Sequence, residues 1–254
     1  MKKYGLIGYP LDHSFSRDYF MNKFRKEALD AIYINYPLRT IEDFPGLIEA
    51  NPDLKGLNVT LPYKSLIIKY LDDIDSRAAS AGAVNVIQFT GTGRRTRLKG
   101  FNTDIDGFVL SLKPLLERKT IRALVLGTGG ASRAVRAGLD MLGIAGTVVS
   151  RDKMKADMIY PDITAEVLKQ YGLIINTTPL GMYPDTAKAP AIPYDALGSE
   201  QILFDLVYNP EMTLFLRLGQ ERGCKVKNGL EMLHIQAEKA WEIWNARLPY
   251  EPGD

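Results

Sequence analysis

The chain has 254 residues, of which 46% are hydrophobic and 24% charged, and its net charge is +2. This length suits one large domain or two domains of about 100–150 residues each. The nearly balanced charge, without long lysine or arginine runs, gives no reason to expect a nucleic-acid or membrane partner. The single cysteine, Cys224, excludes an intramolecular disulfide and fits a reducing compartment. The apolar stretch after Met1 is too short and too interrupted for a signal peptide or a membrane span, so we expect a cytoplasmic protein.

The first hundred residues alternate short apolar runs with helical patterns, which is typical of parallel α/β architecture. The predicted strands cover residues 4–10, 31–38 and 54–62, and the predicted helices cover 16–29, 45–51 and 65–81. Two further strands, over 82–89 and 95–102, are expected to pair across the turn TGTGR, because its glycines allow positive φ angles.

The second half of the chain repeats the alternation. Helical patterns cover residues 106–116, 131–142, 211–222 and 230–247, and apolar strands cover 121–127, 146–151, 171–179, 201–209 and 224–229. A boundary near Asn102–Asp106 divides the two halves, and the final helix is expected to pack back onto the first. We therefore predict a discontinuous domain of residues 1–103 and 230–254, and a second domain of residues 104–229.

The stretch LVLGTGGASRAV, residues 124–135, joins an apolar strand to a small-residue helix through Gly127, Gly129 and Gly130. Such a turn lets the backbone approach a pyrophosphate, and the free N–H groups at the start of the following helix attract anions. Ser132 stands where the dinucleotide-binding pattern usually has glycine or alanine. The context of strand, turn and helix favours a dinucleotide site over a purely structural turn.

The end of the next strand bears on the choice of cofactor. An NAD site usually places an acidic residue there, which binds the ribose 2′-hydroxyl. This chain instead has Ser150 and Arg151, with Lys153 close by, and a hydroxyl with a cation suits the 2′-phosphate of NADP. Asp152 keeps NAD possible. The proline-interrupted segment that follows predicts a cofactor domain that is trimmed on the adenosine side.

Reduction of a carbonyl needs a hydride source, a donor to the developing oxyanion and a proton. A lysine beside a carboxylate can supply the last two, and the chain offers Lys64 in NVTLPYK and Asp104 in GFNTDIDGF. Taken alone, each is expected to be a surface charge, because forty positions separate them. No group of residues has the spacing of metal ligands, so no metal is expected.

Eight stretches, taken together and in order, resemble the shikimate dehydrogenase family. They are GYPLDHSFS, NVTLPYK, AGAVNVI, GFNTDIDGF, LGTGGASRA, LIINTTPLGM, DLVYNP and NGLEMLHIQA. The resemblance implies an N-terminal α/β substrate domain and a Rossmann-like NADP-binding domain with a cleft between them. It further implies reversible, NADPH-dependent reduction of 3-dehydroshikimate to shikimate by a monomer or homodimer. The alternatives are an NAD-using quinate/shikimate dehydrogenase and a non-catalytic dinucleotide-binding relative.

The resemblance also assigns roles to individual positions. Lys64 and Asp104 match the catalytic pair, and Lys64 would move the proton and polarise the oxygen at C3. Ser14 and Ser16 match the hydroxyls that hold the substrate carboxylate, although serines there could equally cap a helix. The other positions matching substrate-binding residues are Thr60, Asn85, Tyr208 and Gln236. The positions matching cofactor-binding residues are Gly127, Thr128, Gly129, Gly130, Ala131, Ser132, Ser150, Arg151, Leu206 and Gly229.

Overall fold

The computed structural model describes residues 1–11, 15–91, 96–116 and 121–246, and the chain folds into two compact units. The first unit holds residues 1–103 together with those from 237 onward, and the second holds residues 104–236. The chain passes from one unit to the other at two points, and both lie inside helices, Thr103–Leu112 and Leu230–Asn245. The predicted α/β class is confirmed, because each unit contains one six-stranded sheet. Among the described residues, no helix is long and apolar enough to cross a membrane.

The sheet of the first unit is mixed. Its strands are β1 (Lys2–Gly8), β2 (Ala31–Pro37), β3 (Leu54–Val59), β4 (Asp73–Ile74), β5 (Val86–Thr90) and β6 (Arg97–Phe101), in the order β2-β1-β3-β5-β6-β4. Strand β1 pairs in parallel with β2 and β3, whereas β5 is antiparallel to both β3 and β6. The predicted pairing of β5 with β6 is therefore confirmed, although most of its turn, residues 92–95, lies outside the described residues.

The helices of the first half are α1 (Phe15–Lys26), α2 (Phe44–Ala50) and α3 (Ser76–Ala81). The prediction of one helix over residues 65–81 is wrong, since a 3₁₀ turn and strand β4 precede α3. Short acidic side chains explain the break, because they bind backbone N–H groups in place of helical carbonyls. Asp72 accepts from Leu98 N, Asp73 accepts from Ile74 N, and Asp75 caps α3.

The C-terminal half of the last helix, α8 (Leu230–Asn245), completes the core of the first unit. Trp244 stacks on Tyr4 with ring centroids 4.9 Å apart, and its Nε1 donates to the Ile87 carbonyl at 3.0 Å. The indole fits because residue 56 is glycine: a Cβ there would lie 2.2 Å from Trp244 Nε1. A side chain at position 56 is thus excluded by the packing of α8.

The sheet of the second unit is entirely parallel. Its strands are β7 (Ala123–Leu126), β8 (Gly146–Ser150), β9 (Met158–Ile159), β10 (Leu173–Asn176), β11 (Ile202–Asp205) and β12 (Lys225–Lys227), in the order β12-β11-β10-β7-β8-β9. The helices are α4 (Thr103–Leu112), α5 (Gly130–Met141), α6 (Ala165–Leu168) and α7 (Leu214–Glu221). The chain runs outward from β7 to β9 and then returns to β10 on the other side of β7. In such sheets ligands bind at the carboxyl ends of the strands, where this order reverses.

The connection from β8 to β10 is as short as its proline-interrupted sequence predicts. It contains two 3₁₀ turns, Lys153–Lys155 and Tyr160–Asp162, the two-residue strand β9 and the four-residue helix α6. Pro161 lies within the second turn, where it removes a backbone donor that a longer helix would need. The structure confirms that this side of the unit is trimmed.

Gly56 and Gly46 make a matched pair for testing the packing of α8. Gly56→Ala should lower the free energy of unfolding by about 1–3 kcal/mol or more, because the methyl group overlaps the Trp244 indole. Gly46→Ala, within α2, meets nothing within 4 Å and should be neutral or stabilising. Urea unfolding followed by tryptophan fluorescence measures both. Equal stability of the two variants would contradict the packing argument.

Candidate active site

In the first unit, Thr60 and Lys64 lie on the segment that follows β3. Thr60 N donates to the Ile7 carbonyl at 2.9 Å, which ties the segment to the end of β1. The Lys64 carbonyl accepts from Val84 N at 2.7 Å, so the main chain of the half-buried lysine lies beside the residue that precedes Asn85. The structure therefore brings two predicted positions, Lys64 and Asn85, to one place in the fold.

The Asn85 side chain is buried and binds the first residue of α4 at both ends of its amide. Its Oδ1 accepts from Thr103 N at 2.7 Å, and its Nδ2 donates to Thr103 Oγ1 at 3.0 Å. Asn85 therefore fixes the residue that directly precedes Asp104. Sequence reasoning missed this contact, although the polar residue within the apolar stretch AVNVI was a usable signal.

Asn58 is a second buried polar residue that the sequence analysis did not select. Its Nδ2 donates to the Asn85 carbonyl at 3.3 Å, and its Oδ1 accepts from the Tyr33 hydroxyl at 2.7 Å. Burial raises the pKa of Tyr33 well above its usual value, so the hydroxyl stays protonated and can donate. The signal was again present, as an asparagine at the end of an apolar strand in the motif NVTLPYK.

Of the two serines predicted to bind a carboxylate, the structure describes only Ser16. Ser16 is half-buried in the first turn of α1. Ser14 lies outside the described residues. Their joint role stays a prediction.

In the second unit, Asp104 and Gln236 belong to neighbouring helix faces. Asp104 is buried in the first turn of α4, and Gly107 follows it by one turn on the same face. A Cβ at Gly107 would lie 2.6 Å from the Met232 carbonyl and 3.3 Å from Gln236 Cβ. The glycine thus allows α4 to approach the buried Gln236 closely. Since Lys64 belongs to the first unit and Asp104 to the second, their pairing stays a prediction.

The glycine turn has the geometry that a phosphate site needs. Gly127 has a φ of 113°, and a Cβ there would lie 2.7 Å from Thr177 Oγ1, which favours glycine. At Gly129 and Gly130 a Cβ would meet nothing within 4 Å, so the space over the turn is open. No side chain among the described residues caps α5, whose first N–H groups therefore suit an anion.

The residues around this turn have distinct surroundings. Ser132 is buried in the first turn of α5, whereas Ala131 and Thr128 are half-buried. The helix packs closely further along, since a Cβ at Gly138 would lie 2.6 Å from Phe108 of α4. The roles of Thr128, Ala131 and Ser132 toward a cofactor stay predictions.

The residues predicted to select the cofactor lie at the end of β8. Arg151 is exposed, while the Ser150 hydroxyl accepts from Asp152 N at 3.1 Å. The Asp152 carboxylate accepts from Met154 N at 3.0 Å and pairs with Lys155 at 3.0 Å. The hydrogen bond from Lys155 lowers the pKa of Asp152. Asp152 is thus paired locally, and the role of Arg151 toward a 2′-phosphate stays a prediction.

Leu206 and Gly229, which match positions near the nicotinamide, are in direct contact. A Cβ at Gly229 would lie 2.2 Å from the Leu206 carbonyl oxygen, and Gly229 N donates to the Val207 carbonyl at 3.2 Å. Tyr208 is on the same turn with its side chain 36% exposed. Burial of part of the ring raises the pKa of Tyr208, which keeps the phenol protonated.

Sequence reasoning also missed Asp205, the last residue of β11. It is completely buried and accepts hydrogen bonds from Asn176 Nδ2 at 2.9 Å, Val207 N at 3.0 Å and Thr213 Oγ1 at 2.6 Å. Burial nevertheless raises the pKa of Asp205 to about 6. The available signal was an acidic residue directly after an apolar run, at the carboxyl end of a parallel strand.

Together, the parallel sheet, the glycine turn at its switch point and the cation after the second strand define a dinucleotide-binding protein of the Rossmann type. Among the described residues, no group of three or more His, Cys, Asp or Glu side chains could hold a metal.

The comparisons with known proteins identify the family. A model of the shikimate dehydrogenase substrate-binding domain matches residues 6–87. The shikimate dehydrogenase (NADP(+)) of Methanococcus aeolicus is 34% identical over 265 residues, covering 98% of this chain and 93% of the relative. This chain therefore belongs to the shikimate dehydrogenase family.

Two solved structures of similar proteins hold different cofactors. Shikimate 5-dehydrogenase from Thermus thermophilus, in complex with NADP(H) and shikimate, is 32% identical with a TM-score of 0.84, covering 98% of this chain and 95% of that chain. The Listeria monocytogenes enzyme, in complex with shikimate and NAD, is 27% identical with a TM-score of 0.82, covering 98% of this chain and 93% of that chain. The selectivity of this chain therefore has to be argued from its own residues.

Arg151→Ala tests the assignment of cofactor selectivity. We expect wild-type protein to prefer NADP by about tenfold or more in kcat/KM, because the guanidinium can donate two hydrogen bonds to the 2′-phosphate. The variant should lose most of this preference through weaker use of NADP, with NAD nearly unchanged. Lys155→Ala serves as the control for lost charge, and it should also lower the preference slightly by freeing Asp152. Steady-state kinetics with both cofactors decide the matter, and a wild-type preference for NAD would refute the assignment.

The raised pKa of Asp205 predicts an unusual pH dependence of stability. Its ordinary pKa is 3.8 and its value in the folded protein is about 6, so the folded state binds the proton more tightly. Between these values the stabilising effect is lost as the pH rises. From about pH 7 down to about pH 4, wild-type protein should therefore gain up to roughly 3 kcal/mol relative to Asp205→Asn. Urea unfolding of both proteins across this range measures the difference, and a relative loss on acidification would contradict it.

Proposed function

We propose that this chain catalyses the reversible, NADPH-dependent reduction of 3-dehydroshikimate to shikimate, a step in the synthesis of aromatic amino acids. Under this proposal the first unit binds the substrate and the second binds the cofactor. The proposal is supported by family membership and, above all, by the hydrogen bonds of Val84 and Asn85. Val84 N donates to the Lys64 carbonyl, and the Asn85 side chain accepts from Thr103 N, which directly precedes Asp104. Two consecutive residues, Val84 and Asn85, thus bind the main chain of Lys64 and the neighbour of Asp104.

The chemistry assigned to Lys64 follows from its charge. An ammonium group that donates a hydrogen bond to the C3 carbonyl oxygen stabilises the negative charge that develops there. NADPH, when bound, supplies the hydride to the carbonyl carbon. Lys64 then transfers a proton to the oxygen, which completes the alcohol, and it takes this proton back in the reverse direction. Asp104 would hold the ammonium group in the required orientation.

The remaining polar positions are proposed to hold the substrate. Thr60, Asn85 and Gln236 supply hydroxyl and amide groups for the ring hydroxyls. Ser14 and Ser16 are proposed to bind the carboxylate, and Tyr208 would lie near it. Asn85 is proposed to have a second role, because its amide already fixes Thr103 at both ends.

The proposal extends to the cofactor contacts. The open turn at Gly129 and Gly130 would receive the pyrophosphate, with Gly127, Thr128, Ala131 and Ser132 around it. Ser150 and Arg151 would bind the 2′-phosphate, and Leu206 and Gly229 would contact the nicotinamide. The local pairing of Asp152 with Lys155 supports NADP over NAD.

A steady-state assay with shikimate or quinate, each combined with NADP or NAD, tests the function and separates its rivals. We expect the highest kcat/KM for shikimate with NADP. A preference for NAD, or efficient oxidation of quinate, would favour the quinate/shikimate alternative. Absence of turnover together with cofactor binding would favour a non-catalytic relative.

We further propose that the protein works in the cytoplasm as a monomer or homodimer. The single cysteine, Cys224, is buried and forms no disulfide within the chain, which supports a reducing compartment.

Lys64→Ala tests the proton-transfer role. It should lower kcat by roughly 10²–10⁴-fold, the usual scale for loss of a positioned acid or base, with a smaller effect on KM. Asp104→Asn should affect both parameters, because the carboxylate orients the substrate as well as Lys64. Lys69→Ala is the control: this exposed lysine, in the neighbouring 3₁₀ turn, pairs with Glu42 and its loss should leave kcat unchanged. Near-normal kcat in Lys64→Ala would show that the proposed mechanism is wrong.

A further inference from the structure

Asp205 joins three segments of the second unit through its carboxylate. Asn176 ends the neighbouring strand β10, Val207 belongs to the turn after β11, and Thr213 caps the N-terminus of α7. Each donates one hydrogen bond to Asp205. The carboxylate thus fixes the start and the end of the loop over residues 206–213.

Asn176 continues these contacts into the loop that follows β10. Its Oδ1 accepts from Thr178 N at 3.0 Å and from Thr178 Oγ1 at 2.6 Å. Its main-chain carbonyl accepts from Leu206 N at 3.0 Å. The asparagine therefore links the loop after β10 to the loop after β11 through both its side chain and its main chain.

The two linked loops lie against the proposed cofactor positions. Thr177 and Thr178 pack on Gly127, where a Cβ would lie 2.7 Å from Thr177 Oγ1 and 3.0 Å from Thr178 Cγ2. In the loop after β11, Leu206 packs on Gly229, where a Cβ would lie 2.2 Å from the Leu206 carbonyl oxygen. The hydrogen-bonded group of Asp205, Asn176 and Thr178, of which the first two are buried, therefore adjoins both the glycine turn and the positions proposed to contact the nicotinamide.

A buried carboxylate is costly to keep charged, so its presence needs a physical reason. Here its acceptor oxygens bind loop donors that would otherwise require water or a bound ligand. The loops consequently have one arrangement before any cofactor arrives. A preformed site loses less conformational freedom on binding, and its affinity is higher for that reason.

We propose that Asp205 is a positioning residue for cofactor binding, which holds the loops after β10 and β11 in the arrangement that the dinucleotide requires. The inference rests on the proposed function for the identity of the cofactor. Asp205 itself would not touch the cofactor or the substrate, and its effect would pass through Leu206 and Gly127.

Asp205→Asn is the first test, because it keeps the shape of the side chain but places an NH₂ group against a donor. We expect the Kd for NADP, measured by calorimetry, to rise by about tenfold or more. The KM for shikimate at saturating NADP should rise less than this Kd, because Tyr208 is the one position on the loop over residues 206–213 that is proposed to lie near the substrate. A merely structural role would not separate these two quantities.

Leu203→Val is the matched control for lost stability. This buried residue lies two positions earlier on β11, and its side chain packs against Gly219 of α7. It should lower the melting temperature without raising the Kd for NADP. If Leu203→Val raised the Kd as much as Asp205→Asn, or if Asp205→Asn left it within about twofold, the proposal would be overturned.

Thr178→Val keeps the proposal testable if Asp205→Asn does not fold. It removes one hydroxyl at the other end of the same group, and the Kd for NADP should rise by about threefold. An unchanged Kd would count against Asp205 as well. Calorimetry does not depend on turnover, so a protein that binds NADP but fails to oxidise shikimate would refute the proposed function and leave this inference standing.

Discussion

The side chain of Asn85 makes the contact on which the proposed chemistry depends. An asparagine amide offers one acceptor and one donor, and here both bind Thr103, at its main-chain N–H and its hydroxyl. The N–H at the start of a helix has no partner within the helix, so the amide satisfies a group that would otherwise be buried without a hydrogen bond. The first residue of α4 is therefore held against the first sheet by one side chain.

The second unit follows a different constraint, which is the parallel order of its sheet. Parallel strands place their carboxyl ends at one edge, and the reversal of order between β7 and β10 opens a space there. The glycines of the turn after β7 keep this space clear of side chains. Polar residues that end the strands, such as Asn176 and Asp205, then bind the loops at the same edge. One topological feature thus accounts for the place of both the turn and the buried carboxylate.

Periodicity and turn chemistry predicted most of the strands and the longer helices, because these signals are local. The hairpin of β5 and β6 and the small-residue helix α5 are examples. The helix over residues 65–81 was wrong because three aspartates there bind backbone groups, one of them Leu98 N, twenty-six positions away. No local pattern contains such a partner.

The difference between local signals and distant partners also explains which residues of the candidate site could be predicted from the sequence. The glycine turn and Arg151 were predicted from local chemistry, whereas Lys64 and Asp104 were predicted as a pair only from the order of eight motifs. Asp205 and Asn58 were missed because their importance comes from burial and from partners on other strands. A carboxylate at the end of an apolar strand looks like an ordinary surface charge until the fold encloses it.

The position of Trp244 has a consequence for how the protein is made. Tyr4, Phe20 and Phe24 share a core with Trp244, so residues from the start of the chain need a helix from its end. A ribosome completes residues 104–236 before it reaches Ala237, and a compact segment of that size can fold while the rest is still being synthesised. The first sheet meanwhile has one apolar face without its covering helix. The part of the protein that is synthesised first is therefore the part that finishes folding last.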